Sequence, residues 1–194
     1  MKQIVLKTLS GGLPALVVLL GLAANSAPAV PLAGGQTDVT LDGGFLSTLT
    51  GAGITPSIIA PGTLNGVVAT FPISGGTDVL IEHTGGLSFS GAGNVVDIEN
   101  FLIDVNQLTV FGDVSVNSSF VTNADLFNVN AGDLSLTLTS AASGVFSGQF
   151  GTPDLSGALV GVASPMPQPV PEPTTTALLG AGLLAFAFLR RRRS

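Results

Sequence analysis

From residue 87 to residue 138, apolar side chains keep falling on every second position, and that period limits what the chain can fold into. Leu87 and Phe89 alternate with Ser88 and Ser90, and Val96 and Ile98 with Asp97 and Glu99. Val114 and Val116, then Leu134, Leu136 and Leu138, alternate in the same way with Ser, Asp and Thr. A period of two gives each segment one buried face and one solvated face, which is the pattern of a half-buried β-strand. Phe101, Ile103 and Val105 resume the alternation on the opposite parity, so a bulge or bend is expected near Asn100. Gly75-Gly76, Gly85-Gly86, Gly91-Ala92-Gly93 and Asn130-Ala131-Gly132-Asp133 supply turn chemistry between these runs. Short strands at short intervals predict an all-β domain, either an antiparallel sandwich or a barrel-like meander. No constant repeat period is present, which leaves a β-solenoid as second choice. A short helix is expected near residues 44–49, where Phe45, Leu46 and Leu49 share a face.

Charge divides the chain sharply. Its six Lys and Arg all lie near the ends, at Lys2, Lys7 and Arg190–Arg193, whereas eleven of the twelve Asp and Glu lie in the body between the terminal segments. The body therefore has no basic side chain except a single histidine, His83. Nothing in it can neutralise phosphates, so nucleic acid is excluded as a partner and anionic membrane surfaces are disfavoured. Cysteine is absent, which excludes disulfides, thiolate metal sites and cysteine nucleophiles. The body, residues 30–162, is long enough for one domain held together by core burial.

Both ends read as signals. Lys2 and Lys7 precede an apolar stretch over residues 13–24 and the small residues Ala24 to Ala29. This is the pattern of a secretory signal peptide over residues 1–29, cleaved after Ser26 or Ala29 by signal peptidase following passage through the Sec machinery. Residues 163–169, with Pro165, Pro167 and Pro169, are expected as an extended linker. At the C-terminus, Val170-Pro171-Glu172-Pro173 is followed by an apolar stretch over residues 174–189 and by Arg190, Arg191, Arg192 and Arg193. Prolines on both sides of Glu172 favour an extended backbone. Sixteen helical residues from 174 to 189 would reach about 24 Å, slightly short of a hydrocarbon core of about 30 Å. Four arginines would hold the far end in the cytoplasm, leaving the body outside.

The motif, apolar stretch, arginine cluster and terminal position together resemble the PEP-CTERM sorting signal of Gram-negative bacteria. That resemblance implies an exosortase as partner, which processes the tail during export. It also implies a precursor anchored in the inner membrane, then delivery to the periplasm, outer surface or extracellular matrix. Proteins with such tails are associated with exopolysaccharide and biofilm matrices.

Side chains able to carry chemistry are few. His83 sits on an expected strand with Val79 and Ile81, beside Gly85-Gly86. It is a candidate haem ligand or base, though a lone strand histidine is more often packed and bonded to backbone. Asp97 and Glu99 project from one strand face, an arrangement suited to Ca²⁺ or simply to water. No nucleophile elbow, P-loop, dinucleotide fingerprint or EF-hand loop occurs. A sugar platform of Trp or Tyr is also lacking, because the chain contains neither residue. Phe71-Pro72-Ile73-Ser74-Gly75-Gly76, Ile81-Glu82-His83-Thr84-Gly85-Gly86-Leu87 and Asn100-Phe101-Leu102-Ile103-Asp104 resemble the His-x-Gly-Gly-Leu strand region of HtaA-type surface domains. Some of those domains bind haem, and their ligation also uses tyrosine, which this chain lacks. The sequence thus points to a non-enzymatic exported surface or matrix protein with a structural or adhesive role and no obligatory cofactor. The alternative is an extracytoplasmic module that binds haem or Ca²⁺.

Overall fold

The computed structural model describes residues 29–117 and 119–171, together with Leu178, Ala181, Gly182 and Arg191. Eleven strands and two short helices follow one another as β1 (Leu32–Leu41), α1 (Gly43–Gly51), β2 (Thr55–Ile59), β3 (Thr63–Asn65), β4 (Val68–Gly76), β5 (Leu80–His83), β6 (Gly86–Gly91), β7 (Asn94–Asp104), β8 (Thr109–Val116), β9 (Ser119–Val129), β10 (Ser135–Leu138), α2 (Ser140–Phe150) and β11 (Leu159–Pro169). Eight of these strands close on themselves in the order β7-β5-β4-β1-β11-β10-β9-β8 and back to β7, forming an antiparallel barrel. Strands β6 and β2 extend from β7 as a flap, and β3 adds to β4. The all-β expectation holds, and of its two forms the barrel is the one adopted.

Closure depends on a break in β7. Its upper part, Asn94 to Glu99, pairs with β6, while Leu102 to Asp104 pairs with β5. The two halves are offset by a register shift between Glu99 and Leu102 on the β8 side, where Asn100 takes φ +52°. This is the bulge implied by the change of parity, and it re-aims the strand so that Val96, Ile98 and Phe101 all enter the core. Strands β5 and β6 form a single run along β7 with a matching break at Thr84-Gly85, and Asn100 N–H donates to Gly85 O at 3.0 Å. Gly85 lies at φ +84°, and a Cβ at Gly86 would come within 2.9 Å of Glu99 Cγ, so both positions of the Gly-Gly pair require glycine.

Both helices lie at the same end of the barrel. At one end, α1 follows β1 and α2 follows β10. Asp42 caps α1 by accepting Phe45 N–H at 2.9 Å, and Thr139 caps α2 by accepting Ala142 N–H at 3.1 Å. Gly151 ends α2 in the left-handed conformation at φ +68°. Phe45 of α1 and Phe146 of α2 meet edge to face, with ring centroids 6.5 Å apart, and Phe89 of β6 contacts Phe146 at 4.9 Å. The helices thus plug that end with aromatic contacts. The α1 face of Phe45 and Leu49 matches the sequence expectation, whereas α2 was not foreseen.

The opposite end carries the turns after β4, β7 and β9, the start of β1 and the end of β11. Here the expectation for residues 163–169 is corrected. They are not a linker but the second half of β11, paired with β1 from Asp38↔Ser164 to Leu32↔Pro169. The domain therefore runs to Pro169. Val170 N–H donates to Pro31 O at 2.9 Å, whereas Ala163 N–H donates to Leu134 O at 3.0 Å. Even-numbered amides thus point to β1 and odd-numbered amides to β10, whose pairing with β11 ends at Ser135↔Val162. Pro165, Pro167 and Pro169 put their missing N–H groups along the unpaired edge, where no ladder bond is lost and strand addition is blocked.

Candidate functional site

His83 ends β5 at the point where the sheet splits. It is 4% exposed, and its neighbour across the barrel, Thr37 of β1, is 2% exposed. Phe101 O lies within the β7 register shift and accepts a hydrogen bond from His83 Nδ1 at 3.2 Å. A carbonyl can only accept, so Nδ1 carries the proton, and Nε2 is left to accept the Thr37 hydroxyl at 2.7 Å. The ring is neutral in this arrangement. Burial pushes its pKa below the ordinary 6.5, opposed in part by backbone hydrogen bonds at Phe101 and Ile81. His83 therefore ties β5, β7 and β1 together and satisfies a carbonyl at the bulge.

The space around His83, between side chains such as Phe71, Phe101, Ile103 and Val110, amounts to about 40 Å³. Pockets for drug-sized molecules are about 300–1,000 Å³. A haem does not fit at His83: the ring is enclosed, both nitrogens are engaged and no tyrosine exists to assist.

Asp97 and Glu99 lie on the outward face of β7, as their alternation with buried Val96 and Ile98 requires. Across β8 they meet Ser115 and Asp113. Asp113 is held by Asn100 Nδ2 at 3.0 Å, and Asp104 accepts Asn106 N–H and Gln107 N–H, each at 2.9 Å, within the turn after β7. Among the described residues, no group of three or more His, Asp or Glu side chains is placed to hold a metal ion. Many of the other carboxylates serve the fold directly. Asp38 accepts the Thr70 hydroxyl, Asp78 accepts Val30 N–H, and Asp154 accepts both Ser143 and Ser156.

One recess was not foreseen from the sequence. A cleft of about 350 Å³ opens at the end of the barrel away from the helices, with Ile103, Val105, Leu108, Val129, Leu134 and Pro167 among its lining. Leu108 and Leu134 hold φ +54° and +57°, a left-handed conformation that costs a non-glycine residue roughly 1–2 kcal/mol. The sequence signal was present, since each leucine ends a polar turn where glycine or asparagine is more usual.

Val170 and Pro171 of the sorting motif continue directly from β11, whereas Glu172, Pro173, Arg190, Arg192 and Arg193 lie outside the described residues, as do residues 1–28. Of the apolar stretch 174–189, Leu178, Ala181 and Gly182 are described and helical. Among the described residues no helix is long and apolar enough to cross a membrane.

The barrel places the body in a known structural class. It is similar to the crystal structure of the heme binding protein HtaB from Corynebacterium glutamicum, with a TM-score of 0.55 at 13% identity, covering 73% of this chain and 96% of that one. It is also similar to the C-terminal domain of HtaA from Corynebacterium glutamicum, with a TM-score of 0.50 at 14% identity, covering 73% of this chain and all of that one (100%). At such identities the likeness is one of fold. No curated protein matches the chain. Residues 169–193 match the PEP-CTERM protein-sorting motif. The protein is therefore an exported substrate of exosortase sorting, anchored at the inner membrane as a precursor and delivered to the periplasm, outer surface or extracellular matrix.

Proposed function

We propose that the protein is a non-enzymatic structural or adhesive component of the cell surface or of an exopolysaccharide matrix. Signal peptidase and the Sec machinery would act on residues 1–29 and an exosortase on the tail, releasing an acidic barrel. The observation that carries this reading is the direct passage of the last barrel strand into the sorting motif at residues 169–193. The bonded carboxylates and the enclosed His83 support it, because these groups are committed to the fold. Cell fractionation with and without the exosortase tests it. The mature protein is expected in the polysaccharide fraction of normal cells and at precursor mass in the membranes of cells lacking the enzyme. Identical mass and location in both would overturn the sorting step, and product release from polysaccharides by purified protein would overturn the non-enzymatic reading.

A second reading, a haem-binding module, is supported by the fold of the two Corynebacterium glutamicum neighbours, one titled a heme binding protein. In the body, only His83 and Met166 could serve as axial side-chain ligands, and Met166 is the exposed one. Haem titration followed at the Soret band tests this reading. A shift abolished by Met166→Ala but not by His83→Ala would support surface haem binding, and no shift would remove it. Calorimetry with Ca²⁺ on Asp97→Asn/Glu99→Gln and on the unaltered protein tests the cation alternative in the same way.

A further inference from the structure

The two ends of the barrel differ in what covers them. The helices close one end, while the other is rimmed by exposed apolar side chains: Val30, Val105, Leu108, Leu134, Met166 and Val170. Two of these, Leu108 and Leu134, occupy left-handed backbone positions where a small or polar residue would be less strained, and both still face outward beside the 350 Å³ cleft. Apolar side chains grouped around a cleft of this size mark the rim as a contact surface, although the β8–β9 hairpin at the other end also exposes Phe120 and Val121.

The position of the tail says what the surface meets. Val170 is still bonded to Pro31, and the apolar stretch begins at Thr174, four residues on. Fully extended, that connection reaches at most about 14 Å. The headgroup layer on each side of a bilayer is roughly 5–8 Å thick. A barrel tethered so closely, by the end that carries the tail, has its open rim at the headgroup layer. We propose that in the anchored precursor the open end of the barrel rests on the lipid surface, with Val105, Leu108 and Leu134 entering the interface. Nearby carboxylates are turned to their own chain: Asp78 takes Val30 N–H, Asp104 takes the amides of its turn, and Asp133 takes Ser135 N–H. Their charge favours zwitterionic over anionic headgroups.

This proposal rests on the anchoring role of residues 174–189, and the test separates the two. The chain has no tryptophan, so one introduced residue reports alone. Full-length Leu108→Trp and Phe120→Trp, the latter in the β8–β9 hairpin at the helix-capped end, are reconstituted into phosphatidylcholine vesicles with or without brominated acyl chains. Co-flotation with vesicles reads the anchor, and bromine quenching reads the docking. The expected result is flotation of both, with most of the Leu108→Trp emission lost in brominated vesicles and Phe120→Trp emission unchanged. Val105→Trp gives the same reading if Leu108→Trp does not fold. Flotation with equal, weak quenching at both positions overturns the docking alone. Failure to float overturns the anchor and the docking with it. Protection at Leu108 that appears only when exosortase is added reassigns the rim to that protein and also overturns the proposal.

Discussion

The helix-capped end and the open end of the barrel are built from similar residues to opposite effect. At the capped end Phe45, Phe89 and Phe146 are driven inward, 3–6% exposed, because α1 and α2 lie across the strand ends. At the open end Val105 and Met166 are left 42% and 46% exposed, since only short turns are available to cover them. Apolar surface at the first end therefore contributes to folding, while at the second it remains available for contact. The helices make the difference, since the β8–β9 hairpin beside them still leaves Phe120 and Val121 exposed.

Substitutions should register that division as a gradient. Phe146→Ala removes the ring that contacts Phe45, Phe89 and Phe150, and is expected to destabilise by about 3–5 kcal/mol in urea unfolding. A loss under about 1 kcal/mol would mean that the plug is loosely packed. His83→Ala, at the junction between the poles, strips partners from Phe101 O and the Thr37 hydroxyl and should cost about 2–3 kcal/mol.

The same histidine gives a pH dependence of fixed sign. Its folded pKa lies below 6.5, so the unfolded chain takes up the proton first. Its contribution is complete above about pH 6.5 and is lost as pH falls below that value, which thermal melts from pH 8 to pH 5 would follow. In His83→Ala that portion of the slope should vanish. Further acid loss is expected below the ordinary carboxylate value of 3.8. There Asp133, lowered first by the Ser135 amide, and Asp154, lowered first by the Ser156 hydroxyl, become protonated.

Smaller changes should be gains. Thr152 Oγ1, just beyond α2, is buried without a hydrogen-bond partner, so Thr152→Val should stabilise by about 1 kcal/mol. Leu134→Gly at the open end relieves a left-handed leucine, at roughly 1–2 kcal/mol, against the entropy of an added glycine, roughly 0.5–1 kcal/mol. A net gain near 0.5 kcal/mol is expected by thermal melting, and a clear loss would place Leu134 in the core after all.

Much of this molecule can be read from local pattern, because alternation reports burial strand by strand. The parity change after Glu99 located the β7 bulge, and Phe45, Leu46 and Leu49 located α1. Helix α2 is not legible in the same way: Gly144 and Gly148 lower its propensity, and Ser side chains dilute the spacing of Ala142, Val145 and Phe146. Its caps, Thr139 and Gly151, were the available signal. Residues 163–169 suggest a linker because of their prolines, although the spacing of two is also that of one strand edge. Sandwich and barrel could not be separated locally, since closure depends on β11 inserting between β1 and β10, strands far apart in sequence. The enclosure of His83 depends on the same distant pairing, through Thr37.

That pairing order also sets a sequence of events. A chain that leaves a translocation channel N-terminus first presents β1 long before β11, and β10 shortly before it, so the sheet cannot be sealed while threading continues. The seam closes only when Pro169 has emerged, and the sorting motif begins at that residue. Completion of the fold and arrival of the address label therefore coincide, so an exosortase that waits for the label meets a finished barrel.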